Sequence, residues 1–538
     1  MDQLTRRVAL PNGVRLLVRE LRTAPVVTLN LWVGTGAADD PPARAGMAHF
    51  IEHVLFGGRG AGGPGGALVR EVLDAGGHLN GETGCDGTTF YQILPTEAWQ
   101  RVLERQVLAL TGASFDRDEV DAERAVIVEE ARGSERVPQS FLWHRLMERA
   151  FPDHPCGRPV VGTEESLADI RPEDLESHFM SHYRGGNLVE VICGDVDADE
   201  VVDRASGLLG NLPGGDRPPR ADHGLTSERG VEAHGYEGDL ERAYVYVAHR
   251  APHALHDDLP ALDVLTGLLG VGRSARLRRR LQLERSLVSS VSSGVVTYRD
   301  IGLHVVRAVT SAGSVEEVVG ECLDEFGRLA GEGINDREME KSVRRLESAY
   351  ALEHETSDSI ARTLGHYEML GDYELAEKYV DRLAAVSAAD VRRAAETWLA
   401  DGTCTVVSYA PRGSGAPVGA WRPRRARTSG RRARIMEERP KGPPPAPFER
   451  PALVAESSAP YCTREELVNG AVLVKCVSRS VPVASVAVSF RGGHSEEPEG
   501  YGGITYATQK ALLRGTTRYS AARLAEEVET IGGGIGTA

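Results

Sequence analysis

The sequence predicts an α+β protein assembled from tandemly repeated, two-layer α/β units. Two kinds of observation predict this. Short β-branched, apolar runs bounded by turn residues alternate with segments of helical periodicity. The chain also resembles itself at two fixed offsets. "LPNGVRLLV" at Leu10 resembles "LVNGAVLVK" at Leu467, and Asn469 − Asn12, Pro482 − Pro25 and Gly503 − Gly46 all equal 457. "IRPEDLESHFMSHYRGGNLVEVICGDV" resembles "VSAADVRRAAETWLADGTCTVVSYAP". There Asp390 − Asp174 and Val391 − Leu175 both equal 216. The expected organisation is a first α/β unit over 1–215 and a similar second unit over 235–411. A linker over 412–458 and the start of a third, degenerate unit over 459–538 follow.

The elements follow in order. Residues 9 to 33 read as a hairpin, because "VRLLVRE" and "VVTLNLWVG" are β-branched and Asn12-Gly13 is turn chemistry. Met47, Phe50, Ile51, Val54 and Leu55 recur at helical spacing, which predicts a helix over 45–56. A glycine-rich loop, "GGRGAGGPGG", precedes a second helix, "ALVREVLDA", stopped by Gly76-Gly77. "DAERAVIVEEARGSE" is a further helical segment. The stretch from Arg412 to Ala452 is rich in Pro, Gly and Arg and has no periodicity, so it reads as a solvated tether. The second copy stops at "IGGGIGTA", opposite "AGGHLNGE" in the first, so the chain is expected to end within a unit.

Composition narrows the function classes. With 538 residues there is room for roughly three to four domains. Hydrophobic residues at 41% and charged residues at 26% fit a globular fold. A net charge of −16 argues against nucleic acid as the main partner. The seven cysteines are an odd number, scattered and without a CxxC, so they read as reduced thiols of a cytoplasmic protein. The first residues, "MDQLTRRVALPNGVRLLV", have no apolar core of a secretory signal, and no apolar run reaches membrane-spanning length.

The chemistry concentrates in "GMAHFIEHVLF", Gly46 to Phe56. His49 and His53 stand at i and i+4, on one helix face, with Glu52 beside them. Two imidazoles suit Zn²⁺, and a catalytic zinc site takes a third protein ligand and keeps a position for water. The order H-x-x-E-H inverts H-E-x-x-H and supplies two ligands and a general base. By chance the pattern is expected on the order of a few per cent of the time in a chain this long. The third ligand is sought in the downstream helix, where Glu123 and Glu130 are seven residues apart and share a face. Glu129 turns away. Glu130 is read as the ligand and Glu123 as a carboxylate supporting the site. The competing reading, two satisfied histidines on a polar helix face, accounts for neither the apolar flanks nor the glutamate pair.

Five stretches resemble the pitrilysin/insulinase family of zinc metallopeptidases, in the family's order. They are "HFIEHVLF", "GGHLNGETGCDGTTFY", "ERAVIVEEARG", "HPCGRPVVGTEESL" and "YRGGNLVEVICGDVD". The subgroup of bacterial and mitochondrial processing peptidases is the most similar. The likeness runs over about 1–411 and 460–538. It implies mostly antiparallel sheets with helices packed on one face, and one Zn²⁺ per chain held by His49, His53 and Glu130. It further implies Glu52 as the base acting on zinc-bound water, and Glu123 in support of the site. The stretch "LNGETGCDGTTFYQIL" is then a sheet edge that receives substrate as an added strand. Asn80 and Gly81 stand where the family has Asn-Ala. The family's Arg and Tyr, which steady the substrate carbonyl, are replaced by Gln282 and Ser289. That pair is expected from a second half or a partner, so a homodimer or a heterodimer with a homologous subunit is expected. In the third unit Tyr506, Gln509 and Lys510 stand opposite His49, Glu52 and His53, so no zinc is expected there.

The leading expectation is a zinc endopeptidase acting on peptides or unfolded segments in an enclosed chamber. The alternatives are a noncatalytic scaffold subunit, and a half-enzyme that needs a partner to supply Arg and Tyr. "GAGGPG" at Gly60 fits a dinucleotide-binding pattern, but a helix rather than a strand precedes it.

Overall fold

A computed structural model describes residues 5–57, 63–220, 223, 230–399, 404–422, 461–478 and 482–537. Two six-stranded sheets dominate it. The first contains β1 (Arg6–Ala9), β2 (Arg15–Glu20), β3 (Val26–Val33), β4 (His78–Thr83), β5 (Thr88–Pro95) and β6 (Leu188–Gly194), in the order β1-β2-β6-β3-β5-β4. The second contains β7 (Glu232–Gly238), β8 (Ala243–Ala251), β9 (Val288–Thr297), β10 (Gly302–Thr310), β11 (Cys404–Pro411) and β12 (Gly419–Trp421), in the order β12-β7-β11-β8-β10-β9. The two orders are equivalent: in each, one pair (β2–β6, β7–β11) is parallel and the rest are antiparallel.

The hairpin expected over residues 9–33 is not the one that forms. Asn12-Gly13 turns β1 into β2, with Gly13 at φ +96. β2 and β3 are separated by β6, which pairs with both. Every residue of β6 is buried, so this strand from far along the chain offers more apolar contact than a β2–β3 pairing. Residues 419–421, inside the stretch expected as a linker, pair with β7 as β12. Residues 423–460 lie outside the described ones.

Each unit lends a helix to the other. Helices α1 (Met47–Gly57), α2 (Arg117–Arg136), α3 (Pro138–Ala150) and α4 (Pro172–His182) belong to the first unit. The second contributes α5 (Leu259–Gly270), α6 (Asp336–Glu353), α7 (Ser357–Leu370) and α8 (Ala388–Trp398). Leu142, Leu146 and Met147 of α3 pack on Tyr246, Ala248 and Val407 of the second sheet. In return Ile360, Ala361 and Leu364 of α7 pack on Leu17, Val189 and Val191 of the first. The first sheet's opposite face, with Leu16, Val18, Leu29 and Leu31, buries Phe50 and Ile51 of α1. With both faces covered, β3 reads as the near-continuous apolar run "VVTLNLWV". Gly365 lets α7 approach closely: a Cβ there would lie 2.2 Å from the Trp32 indole nitrogen.

The third stretch holds a hairpin, β13 (Tyr461–Glu466) with β14 (Val472–Val477), and helices α9 (Ile504–Leu512) and α10 (Ala521–Thr530). It docks on the second unit through α10. Glu529 is buried, accepts from Ser274 N at 3.2 Å and meets Arg345 at 3.3 Å.

The cysteines depart from expectation. Cys85–Cys156 and Cys462–Cys476 are disulfide-bonded, while Cys193, Cys322 and Cys404 are buried thiols. Cys85 lies in the β4–β5 turn and Cys156 in a 3₁₀ turn 71 residues away, with Cα atoms 5.5 Å apart. Only the fold brings them together, so spacing along the chain could not reveal the pair. No helix among the described residues is long and apolar enough to cross a membrane.

Candidate active site

The site forms where α1 passes between the edge strand β4 and helix α2. Met47, Phe50, Ile51 and Leu55 of α1 are buried, each stabilising the helix position by about 1.5–3 kcal/mol. That apolar stripe fixes the helix rotation and leaves His49, Glu52 and His53 on the side facing β4 and α2. Asp40 holds the helix start. Its carboxylate accepts from Gly46 N at 2.8 Å and from Ala48 N at 3.0 Å, satisfying donors that a helix N-terminus leaves unpaired. Burial nevertheless pushes its pKa up to about 7, against these two hydrogen bonds. Helix α2 starts on Asp116, which accepts from Asp118 N at 2.9 Å, and runs far enough to present both Glu123 and Glu130.

Four sequence-predicted residues meet here. The Nε2 of His53 is 3.3 Å from Glu130 Oε2, and the Nε2 of His49 is 3.8 Å from Glu130 Oε1. The ligand atoms of His49, His53 and Glu130 all lie within 4.8 Å of one another. His49 and His53 stand edge to face, with ring centroids 4.6 Å apart. Glu123, which is buried, bonds His53 Nδ1 at 2.9 Å. That bond occupies Nδ1 and leaves Nε2 turned toward Glu130. Glu129 points away and pairs with Arg132 at 2.6 Å. Burial, then the neighbouring His53, lowers the His49 pKa to about 4. His53 is held up at about 9: burial pulls it down, and its bonds to Glu130 and Glu123 outweigh that.

Glu52 faces β4. Burial raises its carboxyl above the usual range, opposed by the Thr83 hydroxyl, which donates to Oε2 at 2.6 Å. Sequence reasoning missed Thr83 and Asp40. Asp40 precedes the helix by several residues, outside the usual N-cap position, yet the long repeat carries its signal. Glu497 − Asp40 is 457, and Glu497 accepts from Gly503 N at 2.8 Å and Thr505 N at 3.0 Å. In that third stretch Lys510 lies over the Tyr506 ring at 4.9 Å.

β4 is the sheet edge, as expected, whereas β5 is interior. Gly81 sits directly against the site: a Cβ there would lie 2.8 Å from Glu52 Oε1 and 2.9 Å from Phe56. Asn80 and Glu82 are exposed and point to the opposite face. Gln282 and Ser289 lie in the second unit, where the Gln282 amide donates to Ser289 O at 2.6 Å. A second group of ligand-type side chains, Cys85, Asp86 and Cys156, coincides with the disulfide.

A folded pair of α/β units with an edge strand beside an H-x-x-E-H helix defines a class, and comparisons with known proteins name it. The family model "Insulinase (Peptidase family M16)" matches residues 15–164 and 474–537, and "Peptidase M16 inactive domain" matches 169–346. The chain belongs to the M16 peptidase family. It is 29% identical over 403 residues to an uncharacterized zinc protease of Streptomyces coelicolor, spanning 72% of this chain and 86% of that one. It is 26% identical over 422 residues to a probable mitochondrial-processing peptidase subunit beta of Arabidopsis thaliana, spanning 76% and 78%. A protease from Helicobacter pylori shares the fold with a TM-score of 0.71 at 21% identity, over 76% of this chain and all of that one.

Proposed function

We propose that this protein is a zinc-dependent endopeptidase acting on peptides or unfolded segments. The observation that carries the reading is the convergence of His49, His53 and Glu130 on one point, with Glu123 behind His53 and Glu52 alongside. The donor set fits the ion: two imidazoles and a carboxylate are the ligands of a catalytic zinc site. Glu123 holds His53 in the tautomer that frees Nε2. When bound there, a zinc ion supplies Lewis acidity toward a water and a carbonyl.

The chain's own groups do the rest. Glu52 takes the proton of the attacking water and returns it to the leaving amine, and burial, which raises its pKa, favours its taking that proton up. Thr83 orients Glu52 by holding Oε2. The unpaired edge of β4 at Asn80 and Gly81 takes the peptide as an added strand, which gives affinity through backbone bonds rather than sequence. The third stretch joins the first two units in enclosing the substrate. Relatives named zinc protease support the same reading.

Metal analysis and cleavage of a quenched peptide test the proposal together. The expected result is one zinc per chain and turnover that stops in Glu52→Gln. A chain that binds no zinc and cleaves nothing is a scaffold subunit instead.

One observation favours a second reading, a half-enzyme. Gln282 and Ser289 stand where the family resemblance expects Arg and Tyr, and both are tied into their own unit, Gln282 to the Ser289 carbonyl and the Ser289 hydroxyl to Val309 O. A homologous subunit, or a second copy, then supplies the missing cation and phenol. Zinc binding without turnover until such a subunit is added distinguishes this reading. A cytoplasmic location requires both disulfides to stand reduced in the cell, which thiol alkylation at lysis reads directly.

A further inference from the structure

Glu82, on the face of β4 turned away from Glu52, lines a cavity. It holds about 580 Å³, within the range of ligand sites, and lies between the α7-covered face of the first sheet and the second unit. Rings form part of its walls: Trp32 of β3, Tyr298 after β9, Tyr350 of α6 and His366 of α7 line it together with Glu82 of β4. Glu82 is also the link to the active site, because it neighbours Thr83, whose side chain points to the other face and holds Glu52.

Strand geometry connects the two. Successive side chains of a peptide paired to β4 point to opposite faces. Those on one face meet Glu52 and Phe56; on the other face, one level with Glu82 borders this cavity. We infer that the cavity is a second side-chain subsite of the peptidase, taking a large uncharged aromatic residue that alternates with the side chain facing Glu52. The inference rests on the reading of β4 as the substrate-pairing edge.

Charge decides the class. Four carboxylates line the space: Glu82, Asp86, Asp263 and Glu353. Three are already matched. Glu82 meets Arg362 at 3.3 Å, Asp86 meets Arg220 at 3.2 Å and accepts from Arg299 N at 2.6 Å, and Asp263 accepts from Tyr379 at 2.8 Å. The fourth, Glu353 at the end of α6, is exposed to solvent, and a basic side chain reaching any of the other three would have to displace one of these bonds. An aromatic ring needs none of them and gains offset or edge-to-face contacts with the wall.

The test uses the full chain carrying Glu52→Gln, so that peptides bind without being consumed. A decapeptide series with a single phenylalanine moved along an alanine-serine background is measured by fluorescence anisotropy. Phenylalanine is expected to tighten binding about tenfold or more at alternate positions, the effect of burying one ring. Ala349→Trp, which fills the cavity from α6, is expected to reduce that ratio below about threefold. Its melting temperature and zinc content, matched to the parent, exclude misfolding. A flat series, a ratio that survives Ala349→Trp, or no binding by any peptide overturns the inference. The two readings fail separately. Alternating binding without turnover by the unsubstituted chain, alone or with an added homologous subunit, sinks the peptidase and leaves the subsite. Turnover without positional preference does the reverse.

Discussion

The first and second units share a sheet order, and the helix that follows the same strand of that order carries different chemistry in each. α1 follows β3 and carries His49, Glu52 and His53; α5 follows the equivalent β8 and carries Leu262, Leu265, Leu268 and Leu269, all buried. Both helices pack on a sheet face with the same stripe logic. What separates them is what the helix carries: His49, Glu52 and His53 in the first unit, buried leucines in the second. The third stretch gives an intermediate case. It keeps the carboxylate at the helix start, Glu497 for Asp40, and has Tyr506, Gln509 and Lys510 where the first unit has its His-Glu-His set. Helix placement and metal chemistry are therefore separable, and each can be altered without the other.

The sharpest way to break the comparison is to remove the chemistry alone. Glu52→Gln should lower peptide cleavage by about 10²–10⁴-fold while zinc content, read by mass spectrometry, stays unchanged. Next in size, Glu123→Gln should weaken zinc binding about 10–100-fold in a competitive chelator titration, because His53 loses its orienting partner. A third change acts on the helix exchange between units. Gly365→Ala sets a methyl against Trp32 and should cost about 1–3 kcal/mol in denaturant unfolding.

The smallest effect is a pH dependence within the first sheet. Glu190 is fully buried with Gln106 donating to it at 2.7 Å, and burial raises its pKa to about 8 from 4.5. The folded protein keeps a proton there that the unfolded chain releases above 4.5. Stability therefore falls as pH rises from about 4.5 to 8, and the loss is complete above that window. Glu190→Gln removes the slope. Its melting temperature should exceed the parent's by on the order of 5 °C at pH 9 and match it within about 1 °C at pH 5.

Much of this site could be read from the sequence because its parts are local. The i, i+4 histidines, the seven-residue spacing of Glu123 and Glu130, and the outward turn of Glu129 follow from helix geometry alone. What the sequence hid depends on distant segments. β6 enters between β2 and β3 from more than 150 residues away, so a local hairpin signal at Asn12-Gly13 was attached to the wrong partner strand. Cys85 meets Cys156 only once the β4–β5 turn is built. Thr83 reaches Glu52 because β4 happens to present that face to α1. The equivalence of the two sheets was partly visible: the offset of 216 carries α4 and β6 onto α8 and β11.

The central claim is that α1 and α2 of the first unit together hold one metal ion. Metal content of the purified full chain, measured beside His49→Leu, tests it most directly. That substitution gives α1 the leucine character of α5. The account predicts one zinc per unsubstituted chain and none in the variant, with both melting within about 3 °C of each other. Equal zinc in the two proteins, or none in the folded parent supplied with zinc, would contradict it.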